Sequence, residues 1–244
     1  MTTSIRSEIL KVTSLNTIRW LVIAQVVLFT LAASGTVASG ALSAAELATE
    51  SGQRQLLAHG GVGAILSLCL GITLSAGEYR HGTVLDTFLS EPRRERVTAA
   101  KVIVATLVGL VVGAVVALTT VMVSLAWCEV RDVSLNWSVA GRCALGILLW
   151  QTLFTVLGTG FGAMVRNQVT AVLTAVAWLY IAETALGQLI SSVGRWLPTG
   201  AASALAHAPA DWLLPQVGGG LVLAGWTAAV VVGGLVLTSR RDPA

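Results

Sequence analysis

Charge is scarce in this chain. Of its 244 residues 11% are Asp, Glu, Lys or Arg, 55% are hydrophobic, and the mean hydropathy is +0.81. Those values lie outside the range of water-soluble domains. The three cysteines, Cys69, Cys128 and Cys143, form no C-x-x-C and no other metal spacing. Cys69 sits inside an apolar run, where a small buried hydrophobe is the expected role. The three histidines, His59, His81 and His207, stand in separate segments with no carboxylate or cysteine at ligand spacing, so no metal site is expected. G-x-x-x-x-G-K-[ST], H-E-x-x-H and G-x-S-x-G are all missing. Without them the chain has no loop to cradle ATP, no zinc-protease helix and no serine elbow. It is expected not to be an enzyme and to bind no cofactor itself.

Long apolar runs are what the sequence has instead. Six exceed the roughly 18 to 20 residues that cross about 30 Å of hydrocarbon: 18–38, 56–77, 102–126, 139–164, 169–190 and 216–238. The expected fold is therefore an all-α integral membrane protein, one transmembrane domain over residues 1–244. Six spans place both termini on one side. With the termini inside, 11 of the 15 basic residues fall on inner segments, as the positive-inside rule requires. Trp127, Trp137, Trp196 and Trp212 then fall at outer ends, where an aromatic belt belongs. The pI of about 9.1 reflects this loop bias and does not point to nucleic acid.

Before the first span, "SIRSEILKVTSLNTIRW" sets Ile5, Ile9 and Val12 at helical spacing among Arg6, Glu8 and Lys11. It reads as an interfacial amphipathic helix over residues 1–17 on the membrane lipids. The alternative is a cleavable leader ending near "LAASG" or "TVASG", leaving five spans and an outside N-terminus.

Among the spans, Glu183 in "WLYIAETALGQLI" is the one ionisable residue well inside a run. A charged carboxylate there costs roughly 3 kcal/mol, so it should face protein or water. It reads as a relay or a contact on a transport path, or as a structural carboxyl bonded to Gln151 or Gln188. Gly109-x-x-x-Gly113 and Gly158-x-x-x-Gly162 fit close helix approach, with no partner specified. The later segment "SSVGRWLPTGAASALAHAPADWLLP" holds three of the five prolines and suggests short re-entrant or surface helices over an outer mouth. Trp196, Leu197 and Pro198 are its candidate gate residues, and deleting 200–208 is expected to spare assembly.

Much of the charge is gathered in "EYRHGTVLDTFLSEPRRERVTAAK", residues 78–101. Gly82 breaks the exit from the second span, and Thr83 can cap a short helix with Asp86 three residues on. Val84, Leu85, Phe88 and Leu89 share one face of that helix. Pro92 ends it, and the basic stretch from Arg93 leads into the third span. The apolar face can lie on the bilayer, or fill a groove on a cytoplasmic partner.

This stretch resembles the loop after the second span in permease subunits of type-2 ABC transporters, with E-x-x-x-GT, an apolar turn, P-x-R and a lysine opening the next span. "SEILKVTSLNTIRW" is similar to that family's N-terminal helix, and "WLYIAETALGQLISSVGRWLPTGAASAL" to its fifth span and the segment beyond. The resemblance implies a multi-pass cell-membrane protein with cytoplasmic termini, working as an exporter subunit with a second permease copy and separate ABC ATPase subunits that carry the ATP and magnesium. Residues 83–89 would be the coupling helix on the ATPase, with Glu78 and Arg80 at its hinge. The cargo would be apolar or amphipathic: a drug, a lipid or a hydrophobic peptide. An ion- or proton-coupled carrier using Glu183 and a non-transporting scaffold are the competing expectations. Abundant Ala, Val and Arg point to a GC-rich bacterial source.

Overall fold

The computed structural model describes residues 7–10, 16–81 and 94–240. Among these the chain is helical throughout its regular structure, without a strand. In chain order the elements are α1 (Asn16–Ala38), α2 (Ala44–Leu47), α3 (Glu50–Ala58), a 3-10 turn (His59–Gly61), α4 (Ala64–His81), α5 (Arg94–Val130) and α6 (Trp137–Val165). There follow α7 (Gln168–Ala177), a π-turn (Trp178–Ala182), α8 (Glu183–Leu189), α9 (Ser191–Gly194), α10 (Pro198–Leu205) and α11 (Gln216–Arg240). Six stretches are long and apolar enough to cross a membrane: Asn16–Ala38, Glu50–Glu78, Arg96–Val130, Trp137–Val165, Gln168–Leu189 and Gln216–Thr238. This is a multi-pass membrane protein, and its spans agree with the six apolar runs of the sequence. Asn16 at the start of α1, His81 at the end of α4, Arg94 at the start of α5 and Arg240 at the end of α11 mark one face, called the termini face; the opposite, loop face carries residues 39–49, 131–136 and 190–215.

Span 4, α6, is the central helix. Side chains from Val139 to Ala163 are buried on several of its faces, against spans 2, 3 and 6. Glycines set the spacing. A Cβ on Gly158 would stand 2.1 Å from the Leu68 carbonyl oxygen, and one on Gly71 would stand 1.9 Å from that of Thr155. Spans 2 and 4 thus touch backbone to backbone, running parallel. Gly109 and Gly113 meet Thr152 and Leu148 in the same manner, so span 3 packs antiparallel on span 4. Both glycine pairs singled out in the sequence therefore have partners, and in each case one partner is span 4. Without Cβ atoms the backbones close in, and dispersion replaces the hydrophobic drive that lipid cannot supply.

The outer helices bury less. α1 presents Gln25, Phe29, Ala33 and Val37, one residue every four, and turns Trp20 and Leu31 outward. Such a narrow stripe suits a helix with protein on one side and hydrocarbon on the other.

Span 2 is broken. After α3 the sequence "HGGVG" makes a 3-10 turn, and the Trp150 ring lies where a Cβ of Gly61 would be. The break exposes the Gly60 carbonyl, which accepts from Gln151 Nε2 at 3.3 Å. Gln151 Oε1 in turn accepts from Ser67 Oγ at 2.5 Å, and Ser67 accepts from Gln25 Nε2 at 3.2 Å. Gln25, Ser67 and Gln151 are fully buried, so this thread ties spans 1, 2 and 4 by polar bonds inside the apolar zone.

Candidate functional site: the root of the charged segment and the re-entrant helix

Two places gather the residues that the sequence marks out. The first lies on the termini face. Lys101, near the start of α5, is 8% exposed, and its Nζ stands 2.9 Å from Glu8 Oε2 and 2.8 Å from Glu78 Oε1. It also reaches the Leu74 carbonyl at 3.5 Å. One ammonium thus joins three segments: the helical turn at 7–10 that precedes span 1, the end of span 2 and the beginning of span 3. A lysine suits this place because its long apolar stem crosses the helix surface while three N–H groups serve separate acceptors. Glu8 faces the bundle while Ile9 and Leu10 are turned outward.

Arg80 lies on α4. Gly82, Thr83, Val84, Leu85, Phe88, Leu89 and Arg93 lie outside the described residues. What the structure places is therefore the root of the charged segment, with its two ends pinned to each other through Glu78 and Lys101.

The second place is α10. Its register on span 6 is fixed by two contacts. Ala201, Ala204 and Leu205 crowd Gly219, while Trp226 Nε1 donates to the Trp196 carbonyl at 2.9 Å. Trp226 lies ten residues into α11, about 15 Å along it at 1.5 Å per residue. α10 therefore begins about midway along span 6, near Pro198, and rises to the loop face, the placement expected of a re-entrant helix. Pro198, Gly200, Ala201, Ala202, Ala204 and Leu205 are buried, and Gly146 of span 4 admits the Leu205 carbonyl. Small residues are required here, because the helix is wedged between spans 4 and 6. Deleting 200–208 would accordingly remove part of the core, against the expectation that assembly would survive it.

The start of α10 explains Glu183. The residue before it, Leu197, offers no side-chain cap, and proline at the first position has no N–H to leave unpaired. The next free donor is Thr199. Glu183 Oε2 accepts from Thr199 N–H at 2.9 Å and also from the Thr199 hydroxyl. A carboxylate from span 5 thus caps a helix sixteen residues later, where the helix dipole favours negative charge. The partner is Thr199; Gln151, proposed from the sequence, is engaged with Ser67 and Gly60 instead. Glu183 follows the π-turn directly, its N–H bonding the Trp178 carbonyl five residues back. Such wide turns recur at functional positions in helices.

Of the candidate gate residues, Leu197 and Pro198 are buried, while Trp196 is half exposed beneath the Arg195 guanidinium, 5.8 Å from its ring centre. No group of three or more potential metal ligands occurs among the described residues.

No protein-family model matches the chain, and no curated protein sequence matches it.

Proposed function

We propose that the chain is the membrane-spanning permease subunit of an ATP-driven exporter, coupled to a separate ATPase through a coupling helix at residues 83–89. The observation that supports it best is the Lys101 knot. A loop that transmits force needs both its ends fixed to the spans it must move, and Lys101 joins those ends to each other and to the segment before span 1. The apolar side chains Val84, Leu85, Phe88 and Leu89 would seat on the ATPase, with ATP and magnesium held on that partner. Closure of two ATPases would draw the roots of two permease copies together, and the spans would follow as levers. The cargo would be apolar or amphipathic, since the six spans offer almost no charge to bind a polar solute. The termini face would be cytoplasmic, by the distribution of basic residues.

The carrier reading draws less support. Glu183 Oε2 is engaged in capping α10, and no cluster of three or more His, Cys, Asp or Glu forms among the described residues to suggest a relay.

The test is co-purification from the chain's own host. An ATP-hydrolysing subunit should accompany the wild type and be lost from Leu85→Asp and Phe88→Asp, while the variant chains remain in the membrane. Retention of that subunit by both variants, or purification without any ATPase and with transport intact, would end the coupling reading.

A further inference from the structure

The bundle holds an apolar cavity of about 170 Å³. Spans 2, 4, 5 and 6 all contribute to it, and Pro198 at the start of α10 is part of its lining. Its walls include Phe154 and Phe161 from span 4, Ala175 and Trp178 from span 5 and Trp226 from span 6. We propose that this cavity is a binding site for a ring-sized aromatic group that enters from the bilayer between spans 5 and 6.

Four observations support the assignment. The lining side chains are all apolar, so nothing there would recognise an ion, a sugar or a headgroup, and a charged ligand would lose its hydration without recompense. The size is right for one ring, because an apolar protein cavity of about 150 Å³ takes up benzene. Phe154, Phe161, Trp178 and Trp226 supply aromatic faces and edges, against which a ring gains contact energy beyond simple area burial. Finally, Trp178 and Trp226 are 43% and 38% exposed, so the mouth lies at the bundle surface facing hydrocarbon. A lipid tail is the competing occupant, but it must freeze several rotors to fill a compact space, whereas a rigid ring freezes none. The inference rests on the fold and the cavity, and it stands or falls separately from the coupling reading.

The experiment uses the full chain in phosphatidylcholine nanodiscs with a photoreactive iodophenyl diazirine as probe. Peptide mapping should find its insertion concentrated on Phe154, Phe161 and Trp178. Excess iodobenzene should reduce that labelling several-fold while leaving the lipid-facing Leu107 and Val111 of span 3 unchanged. Ala175→Phe and Val230→Phe fill the cavity from opposite walls, and each should give the same reduction with an unaltered melting curve. If neither variant folds, iodobenzene competition on the wild type decides alone. Labelling no denser than at Leu107 and Val111, or unmoved by iodobenzene, would overturn the site. A diazirine-tailed phospholipid that labels the same residues and resists iodobenzene would overturn it too, in favour of an acyl chain.

Discussion

Lys101 and Glu8 are 93 positions apart in sequence and 2.9 Å apart in space. The bond makes the segment preceding span 1 part of the same mechanical unit as the root of span 3. Because Glu78 binds the same ammonium, the unit carries two carboxylates and one lysine in a nearly dry site.

Removing the lysine should therefore hurt more than removing either acid. Lys101→Met removes the one ammonium that both carboxylates bind and should cost about 3–5 kcal/mol, the usual penalty for breaking a buried pair from one side. Glu8→Gln and Glu78→Gln each keep a hydrogen-bond acceptor and leave one pair intact, so each should cost less. Thermal unfolding of the purified variants in one detergent ranks the three.

Glu183 separates capping from proton relay. Glu183→Ala strands the Thr199 N–H and hydroxyl and should destabilise by about 1–3 kcal/mol. Glu183→Gln retains an acceptor oxygen and should melt close to wild type and, on the proposed exporter reading, preserve export. Loss of pH-driven transport in the glutamine variant, with melting unchanged, would restore the relay.

Glycines offer an internal control. Gly158→Ala would set a methyl 2.1 Å from the Leu68 carbonyl oxygen, so spans 2 and 4 must separate; a cost of about 1–3 kcal/mol is expected. Gly35→Ala and Gly225→Ala meet nothing within 4 Å and should be neutral or slightly stabilising. Equal melting temperatures for all three would show that the close approach is not real.

His207 should make stability depend on pH. Desolvation first, and then the Arg54 and Arg142 guanidinium groups, hold its pKa below the usual 6.5, with Glu50 opposing. Its Nε2 is enclosed without a hydrogen-bond partner among the described residues, and Arg54 Nε donates to its carbonyl at 3.0 Å. The unfolded chain therefore binds a proton that the fold resists. The contribution is complete above the unfolded pKa and is lost as pH falls through the lower, folded one. Melting temperature should drop between pH 7 and pH 5, and His207→Asn should flatten that drop.

The spans were legible because hydrophobic length alone marks them. Span 1, expected at 18–38, runs Asn16–Ala38, and span 6, expected at 216–238, runs Gln216–Thr238. Span 3 is longer than its apolar run, since α5 already begins at Arg94, where the residues are charged but form helix well. The break in span 2 was hidden because "HGGVG" passes for apolar sequence by hydropathy; the bond between Gln151 and the Gly60 carbonyl exists only once span 4 is in place. Glu183 was found by its charge and its partner was not, because Thr199 lies beyond Pro198, past the end of the span. Glu78 and Lys101 were each marked by the resemblance of the 78–101 stretch, but their convergence with Glu8 on one ammonium leaves no local trace, because it exists only once three segments meet.

The wide turn at Trp178–Ala182 holds one residue more than an α-turn in the same stretch of axis. Span 5 therefore carries its own spare letter. Excising Ile181 would let the helix wind evenly while Glu183 kept its heading toward Thr199. Excising Leu173 instead would swing the carboxylate about 100° around the axis, since one residue is worth that much of an α-helical turn. In alignments of related chains, single-residue gaps should collect at the first position and avoid the second.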